Sequence, residues 1–337
     1  MIQILHDVAL FPYNTFGTPA TASVFVETDD IAELADFIKS LSDPFTTFVL
    51  GGGSNVLFVS DRCDLVIHPV MKGIELIDET DDHVIVRAGA GEVWDDFVNW
   101  CVEKHYAGVE NLSHIPGTVG ACPVQNIGAY GAEAKETIET VEAIEMATGQ
   151  NVTFSNQQCR FDYRDSFFKN EKGKYLITAV QFRLSKRFEP NLRYTDLKLE
   201  LSRTVHVTMD TVRQAVISIR SRKLPNPAKL GNAGSFFKNP TINNAKSEEI
   251  SQYDTQGQAL LYPASHGLWK ISAAWLIRQC GWVGIRDGNV GIYKRQPLVI
   301  VNHGGATGKE ILDFARKIID SVNDKFGIAL EPEVNMV

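Results

Sequence analysis

Residues 231–240 read GNAGSFFKNP and place one hydroxyl, Ser235, among small residues and directly before two phenylalanines. Gly231 and Gly234 permit positive φ and close approach of another molecule to the backbone. A hydroxyl so placed could act as a nucleophile, yet no His, Asp or Glu lies nearby in sequence to activate it. Its partners must arrive from elsewhere in the fold. Taken alone, the segment reads as an ordinary turn.

Two further segments are built for binding. VLGGGSNVLF (49–58) is an apolar run, a glycine loop and a second apolar run. Gly51, Gly52 and Gly53 let successive backbone N–H groups converge on one anion, with Ser54 and Asn55 as side-chain donors. A diphosphate is the natural guest. The order is neither G-x-G-x-x-G followed by a helix nor a Walker loop, which requires Gly-Lys-Ser/Thr. SHIPGTVGACPVQNIGAYGAE (113–133) spaces Gly117, Gly120, Gly128 and Gly131 among apolar and amide residues. That spacing suits backbone wrapped against a flat, extended ligand, or a packed structural loop. Together the two cradles point to a dinucleotide with an extended ring system.

The elements that must position these residues follow from periodicity. DIAELADFIKSL (30–41) has helical spacing through Ile31, Leu34, Ile38 and Leu41, with Asp29 or Asp30 as cap. TFVL (47–50) reads as a buried strand and HVIVRA (83–88) alternates as another. Trp94, Phe97, Val98 and Cys101 mark the helix that follows. Thr148-Gly149 separates two β runs (138–147 and 150–154), and YLITAVQFRL (175–184) alternates again. PNLRYTDL (190–197) reads as a loop, followed by a helix near 208–222. A helix at 272–280 stops at Gly281, PLVIVN (297–302) is a strand, and 308–326 form an amphipathic helix. The pattern is α+β, with strand–helix units but no regular βαβ series.

At 337 residues the chain predicts two or three domains. A net charge of −8 with no long basic run argues against nonspecific nucleic-acid or anionic-membrane binding. No apolar stretch approaches the roughly 20 residues that span a bilayer. The N-terminal MIQILHDVALFPYNTFG lacks a basic n-region and a long apolar core, so it does not read as a signal peptide. Five scattered cysteines without C-x-x-C read as reduced residues of a cytoplasmic protein. The eight histidines form no metal-binding pattern, so no metal is expected.

GGGSN, IPGTVGACPVQNIGAYGAE, YRDSFFK (163–169), GNAGSFFKNP and LEPEV (330–334), in this order, resemble the UDP-N-acetylenolpyruvoylglucosamine reductases (UDP-N-acetylmuramate dehydrogenases). The resemblance runs from about residue 17 to 335, and the NLRYTDL loop looks like the family's longer, type I form. It implies an FAD-binding fold of the vanillyl-alcohol-oxidase/PCMH type, with two αβ subdomains (1–72 and 73–205). A C-terminal α/β substrate domain (206–327) completes it, and 328–337 return to the first subdomain. It also implies noncovalent FAD, NADPH as reductant at the site the substrate later fills, a monomer in the cytoplasm, and a place in peptidoglycan precursor biosynthesis.

The family's reaction sets its own requirements. An enol ether resists hydride unless its carboxylate is polarised, and addition at the β-carbon leaves a carbanion that needs one proton at the α-carbon. The resemblance makes Ser235 that proton donor, with Phe236 and Phe237 excluding water. Arg164 matches the arginine on the substrate carboxylate; by itself it would read as a salt bridge to Asp162 or Asp165. Glu333 matches the catalytic glutamate, although Glu331, two residues away, shares its strand face. The cofactor set is Gly51, Gly52, Gly53, Ser54, Asn55, Pro116, Gly117, Thr118, Gly120, Ala121, Gln125, Asn126, Gly128, Ala129 and Tyr130. Tyr163, Tyr194, Lys223, Asn239, Tyr262 and Lys270 are assigned to the nucleotide sugar. Cys122, near the flavin, would be an oxidation liability. The rival readings are a flavin oxidase of the same fold acting on a hydroxy acid or alcohol, and a nucleotide-sugar binder without redox chemistry.

Overall fold

The first 70 residues form a four-stranded sheet. Gln3–Ala9 pairs antiparallel with Thr21–Thr28, which runs parallel to Arg62–Pro69, itself parallel to Thr47–Val49. The structure is a computed structural model that describes residues 2–41, 47–254, 257, 259, 261–264 and 267–337. The helix Ile31–Ser40 buries Leu34, Ala35 and Ile38 against Leu65 and Ile67 of this sheet. Asp30 is its cap, accepting from the N–H groups of Ala32 and Glu33.

A second, five-stranded antiparallel sheet follows in the order Gln150–Ser155, Ile138–Glu145, Tyr175–Ser185, His83–Gly89 and Ile74–Glu79. Its inner face carries Val84, Val86, Val141, Val180 and Phe182. The helix Trp94–Glu103 packs Trp94, Phe97, Val98 and Cys101 onto them, with the Phe97 and Phe182 rings 4.7 Å apart. Gly149, at φ +67°, turns the chain between Ile138–Glu145 and Gln150–Ser155.

The chain divides into two units. The first holds 1–9, 21–53 and 62–222; the second holds 10–20, 54–61 and 223–337. Both sheets described above lie in the first. The second unit contains three-stranded sheets (Thr241–Ile242, Trp269–Ile271, Leu261–Pro263; and Arg286–Asp287, Val290–Ile292, Ile300–Asn302). The helix Gly308–Phe326 covers their core with Ile311, Phe314, Ala315, Ile318 and Val322. Thr307 and Glu310 close a capping box at its start, and Gly327 (φ +61°) ends it.

The helices expected at 30–41, 208–222, 272–280 and 308–326 are Ile31–Ser40, Met209–Lys223, Ala273–Gln279 and Gly308–Phe326. Three features differ from the sequence reading. The segment 190–197 is not all loop: a short helix, Thr195–Glu200, begins inside it. The strand in PLVIVN is confined to Ile300–Asn302. Ile74–Glu79 is a strand with no alternation, because as a sheet edge it leaves five of its six residues exposed. Among the described residues no helix is long and apolar enough to cross a membrane, and no cluster of His, Cys, Asp and Glu could hold a metal ion.

Candidate active site

In the second unit, three segments distant in sequence converge on Glu333. Its N–H donates to the Phe236 carbonyl at 2.7 Å, and the Lys238 N–H donates to the Glu331 carbonyl at 2.9 Å. These bonds flank the antiparallel bridge between Phe237 and Pro332. Neither residue of such a pair needs its own N–H for the ladder, so proline is accommodated there. The N–H of Phe236 is taken by the Leu298 carbonyl at 2.7 Å. The carbonyl of Glu333 accepts instead from Asn55 Nδ2 at 3.2 Å. Val56–Leu57 then runs parallel to Asn335–Met336, anchoring the chain terminus.

This junction separates the two glutamates that alternation could not. Glu333 is buried at 9% exposure. The Glu331 side chain is 71% exposed and pairs with Lys238 Nζ at 2.6 Å.

The turn before Ser235 is set by its neighbours. A Cβ on Gly231 would stand 2.3 Å from the Phe16 carbonyl oxygen, so only glycine fits there. Gly234 takes φ +70°. Asn232, buried, accepts from the Gly234 N–H at 3.0 Å and donates to the carbonyls of Leu230 and Pro225. Ser235 emerges half-buried from this frame. Phe236 and Phe237 are 0% and 1% exposed and belong to the core with Phe16, Ile300 and Val334. The two rings therefore anchor the serine's backbone in the core.

Also in the second unit, Asn239 Oδ1 accepts from the Ala273 N–H at 3.0 Å, at the start of Ala273–Gln279. Lys270 lies directly across from Tyr262 in the sheet, Lys270 half-buried and Tyr262 51% exposed. Lys223 is half-buried at the end of Met209–Lys223.

The first unit brings the two glycine segments together. A Cβ on Gly51 would lie 2.9 Å from Thr118 Oγ1, and one on Gly52 would lie 3.0 Å from the Gly117 Cα. Gly53 and Gly117 take φ +59° and +126°. Gly120 approaches Ala90 so closely that a Cβ would meet the alanine Cβ at 2.6 Å, and its N–H donates to the Ala90 carbonyl. Ala121 closes the short turn Val119–Ala121 behind Pro116. Ser54 and Asn55 fall in the second unit.

Beyond this contact, Gly128–Ala129 and Ala132–Glu133 form a two-residue hairpin with Tyr130 (φ +50°) and Gly131 (φ +84°) at its tip. Positive φ at both positions is what a type I′ turn requires. Asn111 Nδ2 holds the tip through the Tyr130 carbonyl at 2.9 Å. Tyr130 stands edge-on to Tyr194, ring centroids 5.2 Å apart.

Tyr130, Tyr163, Arg164 and Tyr194 line one groove of about 350 Å³ with Gly128, Ala129 and Glu133. Arg164 takes φ +54°, donates from Nη2 to the Gly128 carbonyl at 2.9 Å, and sits 5.8 Å from the Tyr163 ring centre. The carboxylates of Asp162 and Asp165 accept from the N–H groups of Tyr163 and Ser166 and from Asn170. Asn126 is fully buried, its amide bonded to Glu133 Oε2, the Asp162 carbonyl and the Lys135 N–H. Its side chain is thus structural, and Gln125 beside it is half-buried.

Cys122 is buried, and desolvation pushes its thiol well above the ordinary range, so it is a poor nucleophile rather than the liability expected. Arg220 was missed. Desolvation draws its guanidinium below the ordinary value, against the pull of Tyr130 and with the help of Arg164. Its only sequence signal is its place seven residues after Arg213 on one helix.

The glycine contacts fit a flavin dinucleotide: two loops with backbone donors, and only the small side chains of Thr118 and Ala121 beside Gly51, suit a diphosphate. Fold and groove thus define an FAD-binding oxidoreductase with a separate C-terminal domain. The model for an FAD binding domain matches residues 22–155, and that for the UDP-N-acetylenolpyruvoylglucosamine reductase C-terminal domain matches 226–337. The UDP-N-acetylenolpyruvoylglucosamine reductase of Flavobacterium johnsoniae is 44% identical over the whole of both chains. That of Chromobacterium violaceum is 46% identical over 98% of each. A solved reductase of this name from Thermus caldophilus superposes with a TM-score of 0.69 at 22% identity, covering 100% of this chain and 98% of its own. The chain belongs to the UDP-N-acetylenolpyruvoylglucosamine reductase family.

Proposed function

We propose that the chain reduces UDP-N-acetylenolpyruvoylglucosamine to UDP-N-acetylmuramate in peptidoglycan synthesis, with NADPH as the reductant. FAD, when bound, supplies the two-electron chemistry. Gly51, Gly52, Gly53, Gly117 and Thr118 hold it noncovalently, with the segment up to Tyr130. The protein residues handle charge and one proton. Arg164 draws electron density into the substrate carboxylate, which makes the β-carbon of the enol ether electrophilic. Ser235 delivers a proton to the α-carbon, where the resulting carbanion is basic enough to take one from a hydroxyl. Glu333 orients the carboxyl end of the substrate. Lys223, Asn239, Tyr262 and Lys270, with Tyr163 and Tyr194, hold the nucleotide sugar.

The observation that carries this reading is the bond from the Glu333 N–H to the Phe236 carbonyl, which ties the glutamate to the residue after Ser235. We read the chain as a cytoplasmic monomer whose FAD part has two pieces meeting near residue 72, the boundary between its two sheets. The test is oxidation of NADPH that depends on the enolpyruvyl nucleotide sugar. Oxidation that runs equally without it, with oxygen as acceptor, would contradict the proposed reaction.

A further inference from the structure

His114 opens the glycine-rich segment with φ +60°, a conformation that costs a non-glycine residue free energy. Both of its backbone polar groups are gripped. Its N–H donates to Asp95 Oδ1, in the first turn of Trp94–Glu103. Its carbonyl accepts from Arg220 Nε at 3.0 Å, on the helix Met209–Lys223. Asp95 is itself held by Arg213 in a fork, Nη1 to Oδ1 at 2.6 Å and Nη2 to Oδ2 at 3.1 Å. Arg213 Nε completes the lock on Asn99 at 3.1 Å, one turn beyond Asp95.

The spacing explains why one helix can do this. Arg213 and Arg220 are seven residues apart and share a face of their helix, two turns from each other. One reaches the carboxylate that fixes the His114 N–H; the other takes the His114 carbonyl. The Arg213 side chain is 8% exposed, so the fork is shielded from screening. Asp95 also sits where a helix N-terminus favours negative charge.

We propose that Asp95, locked by Arg213, is a positioning residue for the cofactor. It holds the His114 peptide in its left-handed conformation, and so sets the course of residues 115–121 and the place of Arg220 beside Tyr130. The proposal rests on the assignment of FAD to Gly51–Gly53 and to the segment after His114. A fork of equal reach, Arg87 to Glu142 across the second sheet, serves as the structural control because it holds no such peptide.

The test compares Asp95→Asn, Arg213→Lys and Arg87→Met, each purified as holoprotein. FAD dissociation is followed by flavin fluorescence, the visible circular dichroism of bound flavin reports its surroundings, and Tm reports stability. Asp95→Asn should raise the Kd for FAD about tenfold or more and change the dichroism. Arg213→Lys, which keeps charge but loses the fork, should do the same to a smaller degree. Arg87→Met should lower Tm with the FAD constant and spectrum unchanged. If Asp95→Asn does not fold, Arg213→Lys carries the comparison. Wild-type FAD affinity and dichroism in the Asp95 and Arg213 variants, with only Tm lowered, overturn the proposal. A wild-type protein that retains no FAD sinks the cofactor assignment itself, and the proposal with it.

Discussion

The N–H of Glu333 donates to the carbonyl oxygen of Phe236 at 2.7 Å, which joins the C-terminal strand to the residue after Ser235. Glu333 is buried by this pairing, whereas Glu331 points to solvent and holds Lys238. The two carboxylates therefore predict opposite outcomes. Glu333→Gln should cut kcat about 10²-fold or more, the scale of a lost acid–base or electrostatic group. Glu331→Gln removes an ion pair whose carboxylate is exposed and should leave kcat within twofold, with a stability change of about 0.5 kcal/mol. Comparable losses in both variants would remove Glu333 from the site.

Arg164 offers a planar fork, and part of that fork already rests on the Gly128 carbonyl. Lysine keeps the charge but not the two-point geometry. Arg164→Lys should lower kcat/KM for the nucleotide sugar by about 10–10²-fold, converting one lost charge-assisted bond of about 1.5–3 kcal/mol into rate. Steady-state kinetics at saturating NADPH read this directly, and unchanged values would place Arg164 outside the reaction.

Much of the local frame was legible in the sequence, and the reasons are physical. Gly231 and Gly234 stood out as residues with no side chain, and each meets one of the two needs glycine serves: close approach at Gly231, positive φ at Gly234. The helix 308–326 was readable because its apolar period, its Thr307 cap and its Gly327 stop agree. Glu333 was not separable from Glu331, because the distinction depends on long-range bonds: the Leu298 carbonyl accepts from the Phe236 N–H, and Asn55 Nδ2 donates to the Glu333 carbonyl. Asp95 was invisible for a related reason: it acts on His114 through a backbone amide, which leaves no trace in residue type. The strand Ile74–Glu79 failed to show because an exposed edge imposes no alternation.

The contact between the glycine loops predicts a cofactor phenotype. A methyl on Gly52 would press on the Gly117 backbone at 3.0 Å, which cannot swing aside as a side-chain tip can. Gly52→Ala should weaken FAD retention about tenfold or more, while Tm of the FAD-free protein changes by a few degrees at most. Absorbance at the flavin band relative to protein, after gel filtration, measures it. Full retention would show that the two loops can part without losing the cofactor.

The second sheet carries a pH-dependent element. Glu142 accepts from Arg87 Nη2 at 2.8 Å and from Gln181 Nε2 at 2.9 Å, reaching across three adjacent strands. Burial pushes its carboxyl up, but the Arg87 and Gln181 hydrogen bonds outweigh that and hold it below the ordinary value. A carboxyl depressed in the folded state contributes its stability above the unfolded value, about pH 4.3, and loses it as pH falls through the folded value. The stability gap between wild type and Glu142→Gln, about 1–2 kcal/mol at pH 7 for a partly exposed pair, should be flat from pH 8 to 5 and close below about pH 4. Urea denaturation at stepped pH reads the gap; one that widens in acid would reverse the assignment.

Ser235→Ala should divide the catalytic cycle. Bleaching of the flavin by NADPH requires no proton at the substrate α-carbon, so it should survive nearly intact. Reoxidation by the enolpyruvyl nucleotide sugar does require that proton, and a methyl group has none to give. Loss of a general acid costs about 10²–10⁴-fold. Phe236 and Phe237 keep the backbone anchored in the core, so alanine should fit the turn without moving it. Stopped-flow absorbance should then show rapid bleaching followed by very slow return of colour. Ser235→Cys, with a more acidic group on a similar reach, should recover part of the second phase. Equal slowing of both phases in the alanine variant would make Ser235 a binding or structural residue, and the proton would have to come from another group.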